Sequence, residues 1–284
     1  MICSPCVVPP FTGIYTLATF KGVPPNPATQ NHPDDLAVSA DGADLWVGYG
    51  NGVSTTGKDP SNLIEYAISS GMVLQNISIP GHLDGLKIDP VTGNVWATVN
   101  EDGSPRLNIV NRNTGTFKTF TVSSSLVTGG FDDLVFIPGV EAENVYIVAS
   151  NASDSTKQVV VQAQITGKKK KSSLSLTSFL AGNPASVFNV VTNTAESGDQ
   201  IGDPDSMTID SAGELVLDNR SDDSLYIVRN PTATHPVLRV PLTLAGLPDV
   251  PLEVNDTIFT FSETTGQAST AGTLYITDTS ANVI

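Results

Sequence analysis

The stretch that decides the fold is residues 83–98, Leu-Asp-Gly-Leu-Lys-Ile-Asp-Pro-Val-Thr-Gly-Asn-Val-Trp-Ala-Thr. It contains an acidic residue, a short apolar strand, a glycine-bearing turn and a second apolar strand. The same plan recurs four more times, with spacings of 50, 48, 73 and 51 residues between the first aspartates. Those aspartates are Asp34, Asp84, Asp132, Asp205 and Asp256. Short strands repeated at this period, without helical periodicity, predict an all-β fold, a β-propeller.

The repeats predict five recognisable four-stranded blades in a single domain covering residues 1–284. The fifth repeat lacks its outer half, and an alternating apolar strand at 14–20 is expected to complete it and close the ring, which removes exposed sheet edges. Six blades remain an alternative if the protein continues past Ile284. Residues 181–203 are an insertion between blades three and four, expected to form a loop or ribbon over one face of the ring.

The net charge of the protein limits the kinds of partner that it can bind. The net charge is −15, with 14 Lys and Arg against 29 Asp and Glu. Nucleic acid is excluded as a partner because phosphate binding depends on basic residues, and an anionic membrane surface would be repelled. No apolar run approaches the roughly 20 residues that span a bilayer.

The start of the chain bears on where the protein acts. Residues 1–10 lack the charged start and apolar centre of a signal peptide. The low lysine content and the abundance of Ser and Thr favour an exported protein whose leader has been removed, so we expect an extracellular or periplasmic location. We also expect a monomer.

The repeated aspartates are the first candidate site. In a propeller the innermost strands begin at one mouth of the central channel, so these residues would form a ring there. Carboxylates that share one water-filled funnel repel each other, and a divalent cation, Ca²⁺ or a similar ion, would relieve that repulsion. The alternative is structural, because an aspartate before a strand commonly accepts a backbone hydrogen bond that holds a turn.

Two histidines and several aromatic residues are further candidates. His32 and His82 each lie two residues before a ring aspartate, where they could act as ligands or general bases, or could buttress a turn. Trp46, Tyr49, Trp96 and Tyr146 occur on second strands and are expected to pack between blades. No nucleophile elbow, phosphate-binding loop or His-rich metal motif is present in the sequence.

Residues 204–216, Pro-Asp-Ser-Met-Thr-Ile-Asp-Ser-Ala-Gly-Glu-Leu-Val, resemble the Pro-Asp-Gly-Met blade motif of the SMP-30/gluconolactonase family and related NHL-type propellers. Residues 33–42 and 82–96 resemble other blades of the same group. The resemblance implies a propeller with a divalent cation held at the mouth by a Glu, an Asn and an Asp. Asp205 matches the Asp, whereas Asp34 and Asp132 stand where the family has Glu and Asn.

These observations lead to two main hypotheses and one weaker alternative. The first is a binding or scaffold propeller whose acidic mouth holds a divalent cation and a small-molecule or peptide ligand. The second is a lactonase-like hydrolase in which Asp34, Asp132 and Asp205 hold the metal and His82 or Asp84 acts as base. A purely structural repeat within a larger surface protein is the third.

Overall fold

A computed structural model describes residues 21–30, 32–122, 124–137, 144–150, 154–167, 172–198, 201–210, 212–229, 231, 236–244, 247–251, 254–261 and 272–278. Throughout these ranges the regular structure is entirely β, as the sequence predicts, and none of them contains a helix that could span a membrane. The strand predicted at 14–20 lies outside the described residues.

The first three sheets each contain four antiparallel strands in sequence order. The first comprises β1 (Leu36–Val38), β2 (Asp44–Tyr49), β3 (Pro60–Ala67) and β4 (Val73–Pro80). The second comprises β5 (Leu83–Ile88), β6 (Val95–Val99), β7 (Arg106–Val110) and β8 (Phe117–Thr121). The third comprises β9 (Phe131–Val135), β10 (Asn144–Ala149), β11 (Gln158–Thr166) and β12 (Ser173–Ala181).

The remaining strands form one larger sheet and two hairpins. The larger sheet comprises β13 (Val187–Asn189), β14 (Thr194–Glu196), β15 (Met207–Ile209), β16 (Leu215–Asn219), β17 (Ser224–Val228) and β18 (Val237–Pro241). One hairpin pairs β19 (Thr243–Leu244) with β20 (Leu247–Pro251), and the other pairs β21 (Val254–Phe261) with β22 (Gly272–Asp278).

The sheets are arranged as propeller blades around their first strands. Strand β1 contacts β5, β5 contacts β9, β9 contacts β15, and β15 contacts β21. The first strand of each sheet therefore meets the first strand of the next sheet, which is the arrangement of innermost strands around a common axis. Four blades of four antiparallel strands are described, and β21 and β22 supply the described part of a fifth.

The blades pack face to face through aromatic residues at one repeated position of the second strand. Trp46 of the first blade packs with Leu83 and Leu86 of the second, in a cluster of buried side chains. Trp96 of the second blade packs in the same way against the third, and Tyr146 of the third against the fourth. These side chains are buried because each must fill the space between two sheets, so the predicted packing role is confirmed for these three residues. Tyr49, the fourth predicted residue, instead packs with residues of its own blade.

The insertion at 181–203 differs from its expected placement. Strands β13 and β14 form a hairpin, and β13 pairs in parallel with β18, the fourth strand of blade four. Arg239 of β18 strengthens this junction through an ion pair with Glu196 of β14 at 3.4 Å. The hairpin therefore widens the outer edge of blade four instead of covering a face of the ring, because the edge of β18 offers unpaired backbone groups to β13.

Candidate metal centre at the propeller mouth

Antiparallel pairing brings two parts of each blade to the same end of the sheet. In the second blade, Leu83 at the start of β5 lies opposite Val99 at the end of β6. Residues that enter an innermost strand and residues that follow a second strand therefore share one mouth. Asp84 belongs to the first set and Glu101 to the second.

The first group of potential ligands is Asp34, His82 and Asp84. Each offers one ligand atom, and these atoms lie within 4.8 Å of one another. His82 Nε2 lies 3.6 Å from Asp34 Oδ2 and also 3.6 Å from Glu101 Oε1. The structure thus brings together one predicted metal ligand, Asp34 of the first blade, and both predicted bases, His82 and Asp84 of the second blade.

One contact holds the ring of His82 and another holds its main chain. Its Nδ1 lies 2.9 Å from the carbonyl oxygen of Val53, and its backbone N–H donates to Asn100 Oδ1 at 3.0 Å. Because a carbonyl oxygen only accepts, Nδ1 carries the hydrogen and Nε2 of the neutral ring keeps its lone pair. A backbone partner on one ring nitrogen is the usual support of a metal-ligating histidine.

The second group of potential ligands is Asp84, Glu101 and Asp132, whose ligand atoms also lie within 4.8 Å of one another. Asp132 is only 4% exposed. Two buried oxygens, Asp84 Oδ2 and Asp132 Oδ1, have no hydrogen-bond partner among the described residues. Burying such oxygens costs free energy unless something else compensates them.

Burial and mutual repulsion raise the pKa values of these carboxyl groups. Burial is the larger cause for Asp84, whose pKa lies well above its ordinary value, and Asp132 and Asp34 add to it. Burial likewise raises the pKa of Asp132, with Asp205 and Glu101 contributing. The pKa of Glu101 is raised by burial and partly lowered by His82. The mouth is therefore a concentration of negative charge that favours a cation.

Asp205, the residue that matches the lactonase ligand, lies outside both ligand groups. Its Oδ1 is 3.8 Å from Arg220 Nη1, and its backbone N–H donates to Asp218 Oδ1 at 3.0 Å. It lies close enough to Asp132 to raise that residue's pKa. Its role as a ligand remains a prediction.

Of the other predicted candidates, His32 lies apart from these groups, and the side chain of Asp256 is not described. His32 is exposed and belongs to neither group. Asp256 lies within β21, where the pairing with β22 shifts register between Val254 and Thr257, and its side chain is outside the described part of the chain.

A second charged cluster lies beside the mouth and joins three blades. Lys87 Nζ of the second blade lies 2.7 Å from Asp133 Oδ1 of the third and 3.3 Å from Asp35 Oδ2 of the first. Asp35 also accepts the Leu86 N–H at 2.6 Å, and Asp133 accepts the Met207 N–H of the fourth blade at 3.0 Å. Asp35 and Asp133 are the second members of two Asp-Asp pairs. In each pair the first aspartate, Asp34 or Asp132, belongs to a ligand group, and the second binds the innermost strand of the next blade.

Sequence reasoning missed Glu101 and Lys87 as site residues. The signal for Glu101 was its position directly after a second strand, which returns to the mouth. Asn100 before it adopts a left-handed backbone with φ of 66° that turns the chain there. The signal for Lys87 was a basic residue three positions after a ring aspartate, among aspartate pairs in the flanking blades.

Comparison with known proteins supports the fold alone. No protein-family model matches the chain, and no curated protein is significantly similar to it in sequence. Among solved structures, an auxiliary nutrient-binding protein from Bacteroides thetaiotaomicron is similar with a TM-score of 0.51 at 9% identity. The match covers 81% of this chain and 54% of that protein, so the chain spans about half its length.

Virginiamycin B lyase from Staphylococcus aureus gives a TM-score of 0.48 at 9% identity, over 81% of this chain and 75% of the lyase. A functionally unknown protein from Desulfotomaculum acetoxidans gives 0.48 at 14% identity, over 87% of this chain and 69% of that protein. The propeller architecture that the resemblance implies is supported by the contacts between the first strands of successive blades, and the comparisons do not single out the SMP-30/gluconolactonase family.

Proposed function

We propose that this chain is a binding propeller whose mouth holds a divalent cation and, through it, a small-molecule or peptide ligand. The observation that carries the proposal is the convergence of Asp34, His82 and Asp84 from two blades, with His82 Nε2 directed at carboxylate oxygens. A carboxylate–imidazole set of this kind is a common divalent-metal donor set.

The energetics of the mouth support a cation. Asp84 Oδ2 and Asp132 Oδ1 are buried without a hydrogen-bond partner in the described structure. Those oxygens destabilise the folded protein unless a proton or a cation compensates them. A bound cation would turn that cost into binding free energy for the folded state.

Ligand recognition follows from incomplete coordination. Three protein ligands leave coordination positions that an oxygen or nitrogen donor of another molecule can fill. The surface around the mouth is acidic and would by itself attract only positively charged ligands. The proposed ligand therefore binds through the cation, and a positive charge of its own is not sufficient. A carboxylate or carbonyl group on a small molecule or peptide has the required chemistry.

Metal binding is tested on the metal-free 284-residue chain by calorimetric titration and thermal unfolding with Ca²⁺, Mg²⁺, Mn²⁺ and Zn²⁺. We expect at least one ion to stabilise the protein, by about 2.7 kcal/mol at one hundred times its Kd. Asp84→Asn should abolish this stabilisation. Asp44→Asn is the matched control, because Asp44 begins β2 at the opposite end of the first blade.

Two results would contradict the proposal. One is the absence of stabilisation by any of the four ions. The other is an equal response of the unsubstituted chain and Asp84→Asn, which would place the ion elsewhere.

A metal-dependent hydrolase of lactonase type is the second candidate, favoured by the lone pair on His82 Nε2 beside the ligand groups. A cation at the mouth would polarise a carbonyl and activate water. His82 would accept the proton at Nε2 while Val53 holds the opposite ring nitrogen. In the predicted ligand set, Asp34, Asp132 and Asp205 would hold the ion.

Lactone hydrolysis by the metal-loaded chain distinguishes the two candidates. Turnover that Asp205→Ala and His82→Gln remove would favour the hydrolase. Metal binding without turnover would favour the binding propeller.

We place the proposed function outside the cytoplasm, in an extracellular or periplasmic setting. The support is the acidic surface, with a net charge of −15 and few lysines. Extracellular modules can use weak calcium sites, because Ca²⁺ is abundant there. Fractionation of the source cells, followed by detection of the native protein, tests the location, and recovery only with the cytoplasmic fraction would contradict it.

A further inference from the structure

We propose that the mouth holds two divalent cations that share the carboxylate of Asp84. This inference rests on the proposed function, since it requires the mouth to be a metal site, and it adds the number, kind and coupling of the ions. Its starting point is that Asp84 is the one residue common to both groups of potential ligands in the described structure.

Charge balance supports two ions. The two groups together contain four carboxylates, those of Asp34, Asp84, Glu101 and Asp132. One divalent cation compensates two of these charges, and two cations compensate all four. The neighbouring acids already have basic partners, because Lys87 lies between Asp35 and Asp133 and Arg220 lies near Asp205.

Burial provides an independent reason for an ion in the second group. Asp132 is 96% buried, and its Oδ1 lacks a hydrogen-bond partner within the described ranges. An ion between Asp84, Glu101 and Asp132 would compensate this buried oxygen together with Oδ2 of Asp84.

The donor atoms of the two groups predict different ions. Asp34, His82 and Asp84 supply an imidazole nitrogen and carboxylate oxygens, a set that suits Zn²⁺, Mn²⁺ or Fe²⁺. Asp84, Glu101 and Asp132 supply oxygen alone, which suits Mg²⁺, Ca²⁺ or Mn²⁺. Mn²⁺ suits both positions and is therefore the probe of choice.

The test counts Mn²⁺ bound to the metal-free 284-residue chain by equilibrium dialysis and elemental analysis, and records its electron paramagnetic resonance spectrum. We expect two ions per chain. A shared carboxylate holds two metals within about 4 Å, so the spectrum should show magnetic coupling in place of two isolated Mn²⁺ signals.

Variants assign each ion to its ligands. His82→Gln should leave one ion bound and lower the affinity for the other by about tenfold or more. Glu101→Gln combined with Asp132→Asn should remove the other ion and spare the first. Asp84→Asn should lower the affinity for both ions and abolish their magnetic coupling. Asp44→Asn should still bind two magnetically coupled ions. Circular dichroism establishes that each variant is folded before it is scored.

The outcomes separate this inference from the proposed function. One ion per chain, sensitive to His82→Gln and Asp132→Asn together, would overturn the shared pair and leave the single-cation proposal standing. Two uncoupled ions, only one of which binds more weakly to Asp84→Asn, would overturn the proposal that both ions share the Asp84 carboxylate. No bound Mn²⁺, with no stabilisation by Ca²⁺, Mg²⁺ or Zn²⁺, would overturn both proposals.

Discussion

The ammonium group of Lys87 lies 2.7 Å from Oδ1 of Asp133, and this contact crosses from the second blade to the third. Asp133 is only 6% exposed, whereas the Lys87 side chain keeps 29% of its surface exposed. The pairing is an electrostatic link between these two blades beside the mouth. It raises the pKa of Lys87 above its ordinary value, because Asp133 and Asp35 together outweigh the effect of burial.

We predict that Lys87→Met destabilises the protein by about 3 kcal/mol, because it leaves Asp133 buried without its cation. The measurement is the free energy of unfolding in denaturant. Lys87→Met combined with Asp133→Asn should recover part of the loss, since Asn carries no charge and its single oxygen still accepts one of the two N–H groups, those of Leu134 and Met207, that Asp133 accepts. A loss below 1 kcal/mol for the single variant would show that the contact contributes little.

Asp132→Asn should stabilise the metal-free protein and remove the metal-dependent gain in stability. Without metal, the gain in stability comes from removing a carboxylate that is buried and lies near the carboxylates of Asp205 and Glu101. It should amount to about 1 kcal/mol, because Asn removes the charge but keeps a polar group in the same buried position. Thermal unfolding with and without Mn²⁺ measures both effects, and destabilisation of the metal-free form would contradict the prediction.

Glu65 should make stability depend on pH. Burial is the main cause that raises its pKa, and a hydrogen bond from Gln75 only partly offsets it. Because the folded-state pKa is raised, its favourable contribution is complete below the unfolded pKa of 4.5 and is lost as pH rises through the folded value. Glu65→Gln should therefore stabilise the protein at pH 7 and have little effect at pH 4.

The control for this pH dependence is Glu214→Gln, which removes an acid that pairs with the exposed Arg229. It should change stability by less than about 1 kcal/mol. A gain for Glu65→Gln that is equal at pH 4 and pH 7 would assign the effect to packing instead of charge.

Gly85→Ala should loosen the junction between blades two and three. A Cβ atom at Gly85 would lie 2.3 Å from the carbonyl oxygen of Asp132 and 2.6 Å from Cα of Asp133, both backbone atoms that cannot swing aside. The expected cost is about 1–3 kcal/mol, and metal affinity should fall because Asp132 moves with its backbone. Gly103→Ala is the control, because its Cβ would meet only a Thr56 methyl group at 3.6 Å. Equal stability of the two variants would contradict the prediction.

Much of the fold and part of the site were predictable from the repeat. Aligning the blades on one aspartate placed Asp34, Asp84 and Asp132 at a single mouth, and the structure brings these residues into the two ligand groups. It also identified Trp96 as a blade-to-blade residue, because a position repeated on a second strand faces the next blade. Local periodicity carries this information, since it determines which side of a strand is buried.

Only the tertiary structure decided which of the repeated residues act together and which lie apart. Glu101 joins Asp84 through a left-handed turn at Asn100, Asp205 lies beside Arg220, and the insertion pairs with β18. The sequence by itself determined that similar blades repeat around an axis. It could not determine these contacts, because each depends on distances between different blades or on an unpaired sheet edge, and no local pattern specifies them.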